Sequence, residues 1–363
     1  MADGAVPTAS VSASRGLRVV AIGGGTGLST LLKGLKQYVP TFGTASNQSF
    51  PVTFVHDWHI IHLSAVVTVS DDGGSSGRLR KDFNMLPPGD IRNCIVALSE
   101  DEALLSKLFQ HRFVKGTSLE GHSFGNLFLA ALTSITGDFS EAVRLSSEIL
   151  ATRGHIYPAT NSNLELEAVM QDGTRVRGET NITASKERIE KLALVPADAE
   201  PLPETLEAIS RADLITIGPG SLFTSLIPNL LVKGIVDAIV RSSAVKVYVC
   251  NLMTQANESI GRTAADHIKA LNQHAQAKIF DYALLNSSPA PQDLLEKYAA
   301  EGCAQVAVDE DAIRELGVEP KLGDYLYQGT VARHATDRVA ADLMTIASQA
   351  AQRRREQLFL AAR

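Results

Sequence analysis

Residues 23–27 read Gly-Gly-Gly-Thr-Gly and are the first group in the chain that could bind a ligand. Glycine lets a backbone approach an anion closely, and a helix that follows the loop points free N–H groups at the same place. The alternative is a tight turn whose glycines serve packing only. This composition predicts a phosphate site formed by Gly24, Gly25, Thr26 and Gly27.

Two standard nucleotide-binding fingerprints do not fit this loop. The dinucleotide spacing would require glycine where Leu28 or Thr30 stands, and the Lys-Ser/Thr pair of a P-loop is missing. An ordinary dehydrogenase or nucleoside triphosphatase is therefore disfavoured, and an NAD-binding oxidoreductase is kept only as the third interpretation.

Two adjacent acids, Asp71 and Asp72, stand in a run of small residues that leaves their carboxylates free to face a ligand. Neighbouring side chains in extended backbone point to opposite sides, so one acid could hold Mg²⁺ or a hydroxyl while the other orders the loop. A polar turn after a strand is the alternative. No motif in the sequence requires a cofactor. The cofactor that the sequence suggests is Mg²⁺, bound by Asp71 and Asp72. The predicted ligand contacts of the loop are Asp71, Asp72, Gly73, Gly74, Ser75 and Ser76.

Two further motifs present polar side chains near predicted helix starts. After a Pro-Pro-Gly turn at 87–89, Asp90, Arg92 and Asn93 are predicted ligand contacts. Asp90 is also predicted to cap a helix, and Arg92 and Asn93 are better placed for a ligand than for a core. His122 and Asn126 are four residues apart and share one face of a helical turn. They would contact the ligand or cap the helix locally.

Two later strand ends repeat the pattern. Residues 218–221 read Gly-Pro-Gly-Ser and would offer stiff backbone amides to a phosphate or carboxylate, while 251–255 carries uncharged hydrogen-bonding side chains suited to a base or sugar edge. A network that caps one helix is the alternative for the second group. The predicted contacts are Gly218, Pro219, Gly220, Ser221, Asn251, Thr254, Gln255, Glu258 and Arg262. No spacing suggests a catalytic nucleophile.

The elements that must position these loops are short apolar strands, each followed by a helical pattern. Strands are predicted at 17–22, 63–69, 212–217 and 244–250. Strands that alternate with helices form parallel sheets, whose ligands bind beyond the carboxyl ends of the strands. All four predicted strands end in the small or polar loops described above, so these loops should meet at one edge.

Other segments are predicted from local patterns. Helices dominate 91–150, with caps at Asp90 and Ser140, and a final helix covers 337–361. Asp172-Gly173 is the turn of a hairpin over 164–179. The segment 41–62 has no clear period and is interpreted as a surface excursion or hairpin.

The composition excludes several classes of protein. Hydrophobic residues make up 45% and charged residues 20%, as in globular domains, and the net charge of −6 gives no general attraction for nucleic acid or anionic lipid. Three scattered cysteines favour a reducing cytoplasm over a disulfide or zinc framework. No uninterrupted apolar stretch reaches the ~18 residues of a membrane span, and residues 1–16 are predicted to be a disordered tail.

Six loops with unrelated sequences occur in one order: IGGGTG at 22–27, VSDDGGSSGRLR at 69–80, PPGDIRN at 87–93, GHSFGN at 121–126, IGPGS at 217–221 and YVCNLMTQ at 248–255. Together they resemble the YvcK family of bacterial gluconeogenesis factors, within the CofD-like superfamily. Enzymes of that superfamily transfer a phospholactyl group from a guanylylated donor to a deazaflavin.

The resemblance implies an α/β fold of the Rossmann-like, three-layer α/β/α type with a mostly parallel sheet and an appended hairpin and helical subdomain at about 160–190. The fold would span 17–345, with a C-terminal helix extension at 346–363. The resemblance also implies a cytoplasmic protein that binds UDP-sugars such as UDP-N-acetylglucosamine and acts in cell shape and growth on gluconeogenic carbon. It leaves room for self-association and for a protein partner in cell-wall regulation. A CofD-type transferase that uses Mg²⁺ is the alternative function.

Overall fold

The computed structural model describes residues 15–40, 53, 55, 57–100, 102–114, 116, 118–185, 187–327 and 329–361. Its strands are β1 Arg15–Gly23, β2 Trp58–Val67, β3 His155–Pro158, β4 Glu165–Met170, β5 Arg175–Arg177, β6 Ile189–Val195, β7 Leu214–Ile217, β8 Val245–Val249, β9 Tyr282–Asn286, β10 Glu319–Gly323, β11 Leu326–Tyr327 and β12 Arg333–His334. Its helices are α1 Gly25–Lys36, α2 Gly74–Phe83, α3 Gly89–Leu98, α4 Glu102–Gln110, α5 Phe124–Thr136, α6 Phe139–Ile149, α7 Glu179–Ala184, α8 Pro203–Arg211, α9 Ile227–Leu231, α10 Ile235–Arg241, α11 Ala264–Ala275, α12 Gln292–Ala299, α13 Glu310–Glu315 and α14 Thr336–Ala361. A π-helical turn, Leu222–Leu226, precedes α9.

Seven parallel strands form the central sheet, in the order β10-β9-β8-β7-β1-β2-β3. The first strand lies in the middle, with β2 on one side and β7 on the other. The strand order therefore reverses between β1 and β7, and the crevice beyond their carboxyl ends is the place where such sheets bind ligands.

Both faces of the sheet are covered by helices. Along β1, Val19 and Ala21 face a core that also contains residues of α1, α3 and α14, whereas Val20 and Ile22 face a second core with residues of α8, α9 and α11. Parallel strands that are buried on both faces need a near-continuous apolar sequence, which explains the uniform hydrophobicity of β1. The Rossmann-like three-layer α/β/α fold is confirmed.

A small antiparallel sheet, with strand order β5-β4-β6, is attached to this fold. The predicted hairpin is confirmed: β4 and β5 flank the Asp172-Gly173 turn, and Gly173 has a φ of +85° that favours glycine. The third strand, β6, follows the short helix α7 and had no clear sequence signal.

The segment predicted as an excursion at 41–62 ends inside the sheet. β2 begins at Trp58, so residues 58–62 are strand, and the Trp58 side chain is only 2% exposed. The interpretation of a surface excursion is wrong for these five residues, because pairing with β1 extends back to Arg15 and the guanidinium groups of Arg15 and Arg355 lie over the Trp58 ring. Residues 41–52, 54 and 56 lie outside the described part of the chain.

The predicted tail at 1–16 also overlaps the sheet, because Arg15 and Gly16 belong to β1. Residues 1–14 lie outside the described residues. Among those that are described, no helix by itself combines the length and apolar character needed to cross a membrane, whereas the bent pair Leu222–Leu231 and Ile235–Arg241 meets both criteria only when its parts are taken together.

Both predicted helix caps are wrong. Asp138 caps α6, since its carboxylate accepts a hydrogen bond from Glu141 N at 2.8 Å, and Ser140 lies inside the helix. At α3 the cap position is Pro88, and Asp90 lies in the first turn. The carboxylate of Asp90 instead lies against the first loop, since a β-carbon on Gly24 would stand 2.8 Å from Asp90 Oδ2.

Candidate functional site

A cavity of about 300 Å³ lies beyond the carboxyl ends of β1, β7 and β8. Three of the predicted loops meet there, although up to about 230 residues of sequence separate them. The lining residues from these loops and the turn after them are Gly24, Gly25, Thr26, Gly27, Pro219, Gly220, Ser221, Ser225, Asn251, Leu252, Met253, Thr254 and Gln255. Tyr298, Ala332 and His334 complete the lining. None of these described lining residues is Asp, Glu, Lys or Arg.

The glycines of the first loop have two separate reasons to be glycine. Gly25 has a φ of +63° and begins α1, and a β-carbon there would have only Ser225 Oγ within 4 Å, at 3.7 Å. Gly27 instead touches the third loop, because a β-carbon on Gly27 would lie 2.3 Å from the carbonyl oxygen of Pro219. Backbone conformation is decisive at position 25 and close approach at position 27.

Asn251 fastens the third loop to the end of β8. Its Nδ2 donates to the carbonyl oxygen of Gly220 at 2.8 Å, and Gly220 N donates to Asn251 Oδ1 at 3.1 Å. Both ends of the amide are therefore engaged with one backbone residue. Asn251 holds the wall of the cavity, and its amide is less available to a ligand than the sequence suggested.

Thr254 and Gln255 extend this wall. Thr254 exchanges two hydrogen bonds with Ala304: its N donates to Ala304 O at 2.7 Å, and its Oγ1 accepts from Ala304 N at 2.9 Å. Gln255 N donates to Ser259 Oγ at 2.9 Å. Within the described residues the Gln255 side-chain amide has no hydrogen-bond partner, so it is the amide of this segment that remains available to a ligand.

Glu258 and Arg262, predicted as ligand contacts, do not line the cavity. Glu258 is 3% exposed and accepts hydrogen bonds from Phe223 N at 3.2 Å and Thr224 Oγ1 at 2.8 Å, at the start of the π-helical turn. Burial raises the pKa of its carboxyl. Arg262 donates to Ile189 O at 3.0 Å and lies over the Phe223 ring. The two side chains connect structural elements to one another.

The carboxyl groups of Asp71, Asp90 and Glu179 lie near one another, beside the first loop. Burial, followed by the charge of Asp71, raises the pKa of Asp90 to about 6, against the opposing effect of the nearby Gly25 backbone N–H. A β-carbon on Gly24 would lie 2.8 Å from Asp90 Oδ2. Burial also raises the pKa of Glu179 to about 9, with further contributions from Asp71 and Asp90. Glu179 was not predicted, since it lies at the start of α7, the short helix between β5 and β6.

The two adjacent aspartates have different partners. Asp71 Oδ1 accepts from Gly73 N at 2.9 Å and orders its own loop. Asp72 Oδ1 accepts from Thr180 N at 2.9 Å and from Thr180 Oγ1 at 2.6 Å, which fastens α7 to the second loop. Within the part of the chain that the structure describes, no three His, Cys, Asp or Glu side chains are arranged to hold a metal ion. Mg²⁺ on Asp71 and Asp72 stays a prediction, because magnesium is usually held by one or two carboxylates together with substrate phosphates and water.

Arg92 is the centre of a buried polar network. Its NH1 donates to Ser123 Oγ at 2.6 Å and to Asn126 Oδ1 at 3.0 Å, and its NH2 donates to Asn93 Oδ1 at 2.8 Å. Arg92 is 8% exposed, and burial lowers its pKa. The predicted residues Arg92, Asn93 and Asn126 are thus brought together, but they bind one another.

The same network continues to the second loop. Asn126 Nδ2 donates to Ser75 Oγ at 3.0 Å, and His122 Nδ1 lies 3.0 Å from that oxygen. Burial and the charge of Arg78 lower the pKa of His122. Ser123, and not His122, caps α5, because its Oγ accepts from Asn126 N. These hydrogen bonds hold α2, α3 and α5 together.

A larger cavity of about 660 Å³ lies along the edge strand β3 and contains none of the predicted site residues. Its rim includes Arg144, whose guanidinium forms ion pairs with Glu141 and Glu148. It lies at the β3 edge of the sheet and not at the switch between β1 and β7, so the smaller cavity is the candidate site.

Comparison with known proteins shows the family of the chain. Residues 19–326 match the family model described as 2-phospho-L-lactate transferase CofD. A protein of Halalkalibacterium halodurans named gluconeogenesis factor is 48% identical over 90% of this chain and 95% of its own. A Bacillus subtilis protein of the same name is 46% identical over 91% of this chain and 98% of its own.

Solved structures give the same result. A crystal structure of a Bacillus halodurans protein matches with a TM-score of 0.83 and 46% identity, over 91% of this chain and all of the other. A second crystal structure from that organism, of a member of the UPF0052 family, matches with a TM-score of 0.83 and 45% identity, over 91% and 99% of the two chains. The chain therefore belongs to the CofD family, and within it to the bacterial proteins named gluconeogenesis factors.

Proposed function

We propose that this protein is a nucleotide-sugar-binding regulatory protein of the gluconeogenesis-factor type, with a ligand such as UDP-N-acetylglucosamine. It would act in the cytoplasm and link carbon metabolism to cell shape. Self-association and a protein partner in cell-wall regulation belong to the same proposal.

The observation that carries the proposal is a cavity lined by backbone and by uncharged side chains. Its glycine loop and the start of α1 offer N–H groups, which suit the phosphates of a bound nucleotide, while Gln255, Tyr298 and His334 suit groups that form directional hydrogen bonds. Binding without charged side chains favours reversible recognition of a metabolite.

Isothermal titration with UDP-N-acetylglucosamine tests the proposal, with GDP and NAD as competing ligands. We expect saturable binding well below millimolar concentration, and weaker binding of UMP, which lacks the second phosphate. Arg144→Ala, in the cavity at β3, is the matched control and should bind like the wild type. If no nucleotide binds at millimolar concentration, the proposal is wrong.

A CofD-type transferase is the second candidate. Asp90 lies against the phosphate-binding loop, and the charges of Asp71 and Asp90 affect the pKa values of Asp90 and Glu179, so these carboxyl groups lie beside that loop. Carboxyl groups in such a position could act on a transferred group. Incubation with a deazaflavin acceptor, a guanylylated lactyl donor and Mg²⁺, followed by chromatography, separates the candidates. We expect no new product, and a deazaflavin that carries the phospholactyl group, formed together with GMP, would favour the transferase. The oxidoreductase stays third because the glycine spacing lacks the dinucleotide pattern.

A further inference from the structure

The strand β3, His155–Pro158, forms one edge of the central sheet and has β2 on its inner side. Backbone groups alternate in direction along a parallel strand. Ala159 N, just after β3, donates to Val67 O in β2 at 2.8 Å, so Tyr157, two residues earlier, also directs its backbone groups toward β2. Ile156 therefore directs its N–H and its C=O away from the sheet.

Among the described residues of β3, Ile156 is the one that offers both a donor and an acceptor at this edge. Pro158 has no N–H, and the carbonyl oxygen of Gly154, before the strand, accepts a hydrogen bond from Thr152 Oγ1 at 2.9 Å. Unpaired backbone groups at a sheet edge are a template for another strand. The cavity of about 660 Å³ lies along this edge and Ile156 lines it, so a further chain has space beside that residue.

The walls of this cavity are acidic. The described lining residues include four carboxylates, Asp138, Glu141, Glu148 and Glu204, against one guanidinium, that of Arg144. Arg144 forms ion pairs with Glu141 and Glu148 on α6. Glu204 belongs to α8, which packs on the other face of the sheet, and it forms no ion pair with a described residue. The excess of negative charge favours an occupant with basic side chains.

Two rings on β3 face the same space. The imidazole of His155 and the phenol ring of Tyr157 are stacked, with their centroids 6.1 Å apart and an angle of 7° between their planes. His155 is exposed and Tyr157 is half-buried. Burial, followed by the charges of Glu204 and Glu207, raises the pKa of Tyr157, so both carboxylates lie near that ring. Aromatic faces beside carboxylates suit a guanidinium group, which stacks on rings and pairs with acids.

We propose that the β3 edge binds an extended segment of a partner protein that carries arginine or lysine, and that this segment joins the central sheet as one further strand. Its backbone pairs with Ile156, and its basic side chains meet the carboxylates of the cavity. A second copy of this chain fits less well, because symmetric pairing of two β3 edges would bring two acidic walls together. The inference rests on the protein partner in the proposed function and requires no nucleotide, so this test and the nucleotide titration can fail separately.

Fluorescence anisotropy with a labelled probe peptide is the first test. The probe is an octapeptide of alternating arginine and valine, blocked at both ends, and its counterpart has glutamate in place of arginine. We expect the basic probe to bind with a dissociation constant below about 1 mM, and the acidic one at least about tenfold more weakly. Spermine, which matches the charge of the basic probe but has no peptide backbone, should not displace it at equal concentration. No binding of the basic probe, or full displacement by spermine, would overturn the inference.

Hydrogen exchange followed by mass spectrometry locates the bound probe. A strand added to β3 takes the outward N–H of Ile156 into a hydrogen bond, so exchange in a fragment covering 154–158 should slow at least about fivefold at saturation. A fragment covering β10, Glu319–Gly323, at the other edge of the sheet, is the internal control. Binding without protection of β3, or equal protection of β10, would show that no strand is added at β3, and the inference would be wrong.

Charge-reversal variants assign the preference for basic segments to the cavity. Glu148→Lys with Glu204→Lys reverses one exposed carboxylate on each wall, and it should weaken the basic probe at least about tenfold and strengthen the acidic one. Glu310→Lys with Glu315→Lys, on α13 beside β10, is the matched control, since Glu310 pairs with Arg314 as Glu148 pairs with Arg144. We expect this control to bind the basic probe within about twofold of wild type. Equal weakening by both double variants, or no weakening by the first, would refute the inference.

Discussion

Gly27 lies directly against the backbone of Pro219, since a β-carbon on Gly27 would stand 2.3 Å from the Pro219 carbonyl oxygen. The loop after β1 and the loop after β7 therefore support each other at the point where the strand order reverses. The shape of the candidate cavity depends on this contact.

Gly27→Ala should separate the two loops. We expect nucleotide affinity to fall at least about tenfold and unfolding free energy to fall by about 1–3 kcal/mol, because rigid backbone has to move. Titration and urea denaturation measure the two effects. Gly329→Ala is the control, since a β-carbon there meets its nearest atom at 3.5 Å. Unchanged affinity in Gly27→Ala would mean that the contact does not shape the binding site.

Gly25→Val should weaken binding for a different reason. The space around Gly25 is open, but its φ of +63° is strained for a β-branched residue by about 1–2 kcal/mol, so the loop should change conformation. Gly25→Asn is the informative comparison, because asparagine tolerates this conformation. We expect the order wild type, Asn, Val in affinity. Equal affinity of Val and wild type in folded protein would show that the loop conformation is irrelevant to binding.

Asp71→Asn and Asp72→Asn separate the regulator from the transferase. Each amide keeps one oxygen that accepts hydrogen bonds, so nucleotide-sugar binding should weaken by about 1–3 kcal/mol at most. Chelation of Mg²⁺ should have little effect on wild-type affinity. Titrations with Mg²⁺ and with chelator measure both. A loss of tenfold or more on chelation would contradict the regulator and support a metal-dependent enzyme.

Glu179 should make stability fall as pH rises. Its pKa is raised to about 9 in the folded protein, so between about pH 4 and pH 9 the folded state binds more protons than the unfolded state, and each step upward in pH favours unfolding. Glu179→Gln should therefore be more stable than wild type at pH 8, by at least about 1 kcal/mol, with the difference vanishing near pH 4. Glu190→Gln, on the exposed face of the small sheet, is the control. A difference that stays constant with pH would refute the raised pKa of the Glu179 carboxyl.

Arg92→Lys should destabilise the fold although it keeps the charge. An ammonium group cannot reproduce the bonds of the guanidinium to Asn93, Ser123 and Asn126, so buried acceptors would lose their donor. We expect a loss of about 2–4 kcal/mol in urea denaturation. Arg314→Lys, in an exposed ion pair, should change stability by less than about 1 kcal/mol. Similar small losses for both variants would mean that the network carries little stability.

The strand, loop and helix units around the site could be predicted from sequence. The apolar run of β1 followed by glycine, and the Asp172-Gly173 turn, follow from preferences of neighbouring residues along the chain. The carboxyl ends of parallel strands lie at one edge of the sheet, so the sequence also predicts that the loops at 23–27, 218–221 and 251–255 meet.

Side-chain partners were decided by tertiary structure. Asn251 has the residue type of a ligand contact, yet both ends of its amide are bonded to Gly220, and Arg262 reaches Ile189 in the small sheet. Asp90 has the type and position of a helix cap, yet its carboxylate lies against Gly24 in the first loop. Each pairing depends on how separate elements pack, which no local pattern encodes.

The sequence by itself determined the α/β architecture and the edge of the sheet where the loops collect, because periodicity, glycine positions and turn chemistry act over a few neighbouring residues. Only the tertiary structure brought Glu179 to the carboxyl groups and Tyr298 and His334 to the cavity. These residues come from distant segments of the chain. The packing interactions that bring them together are distributed over the whole core, so no single position in the sequence predicts their contact.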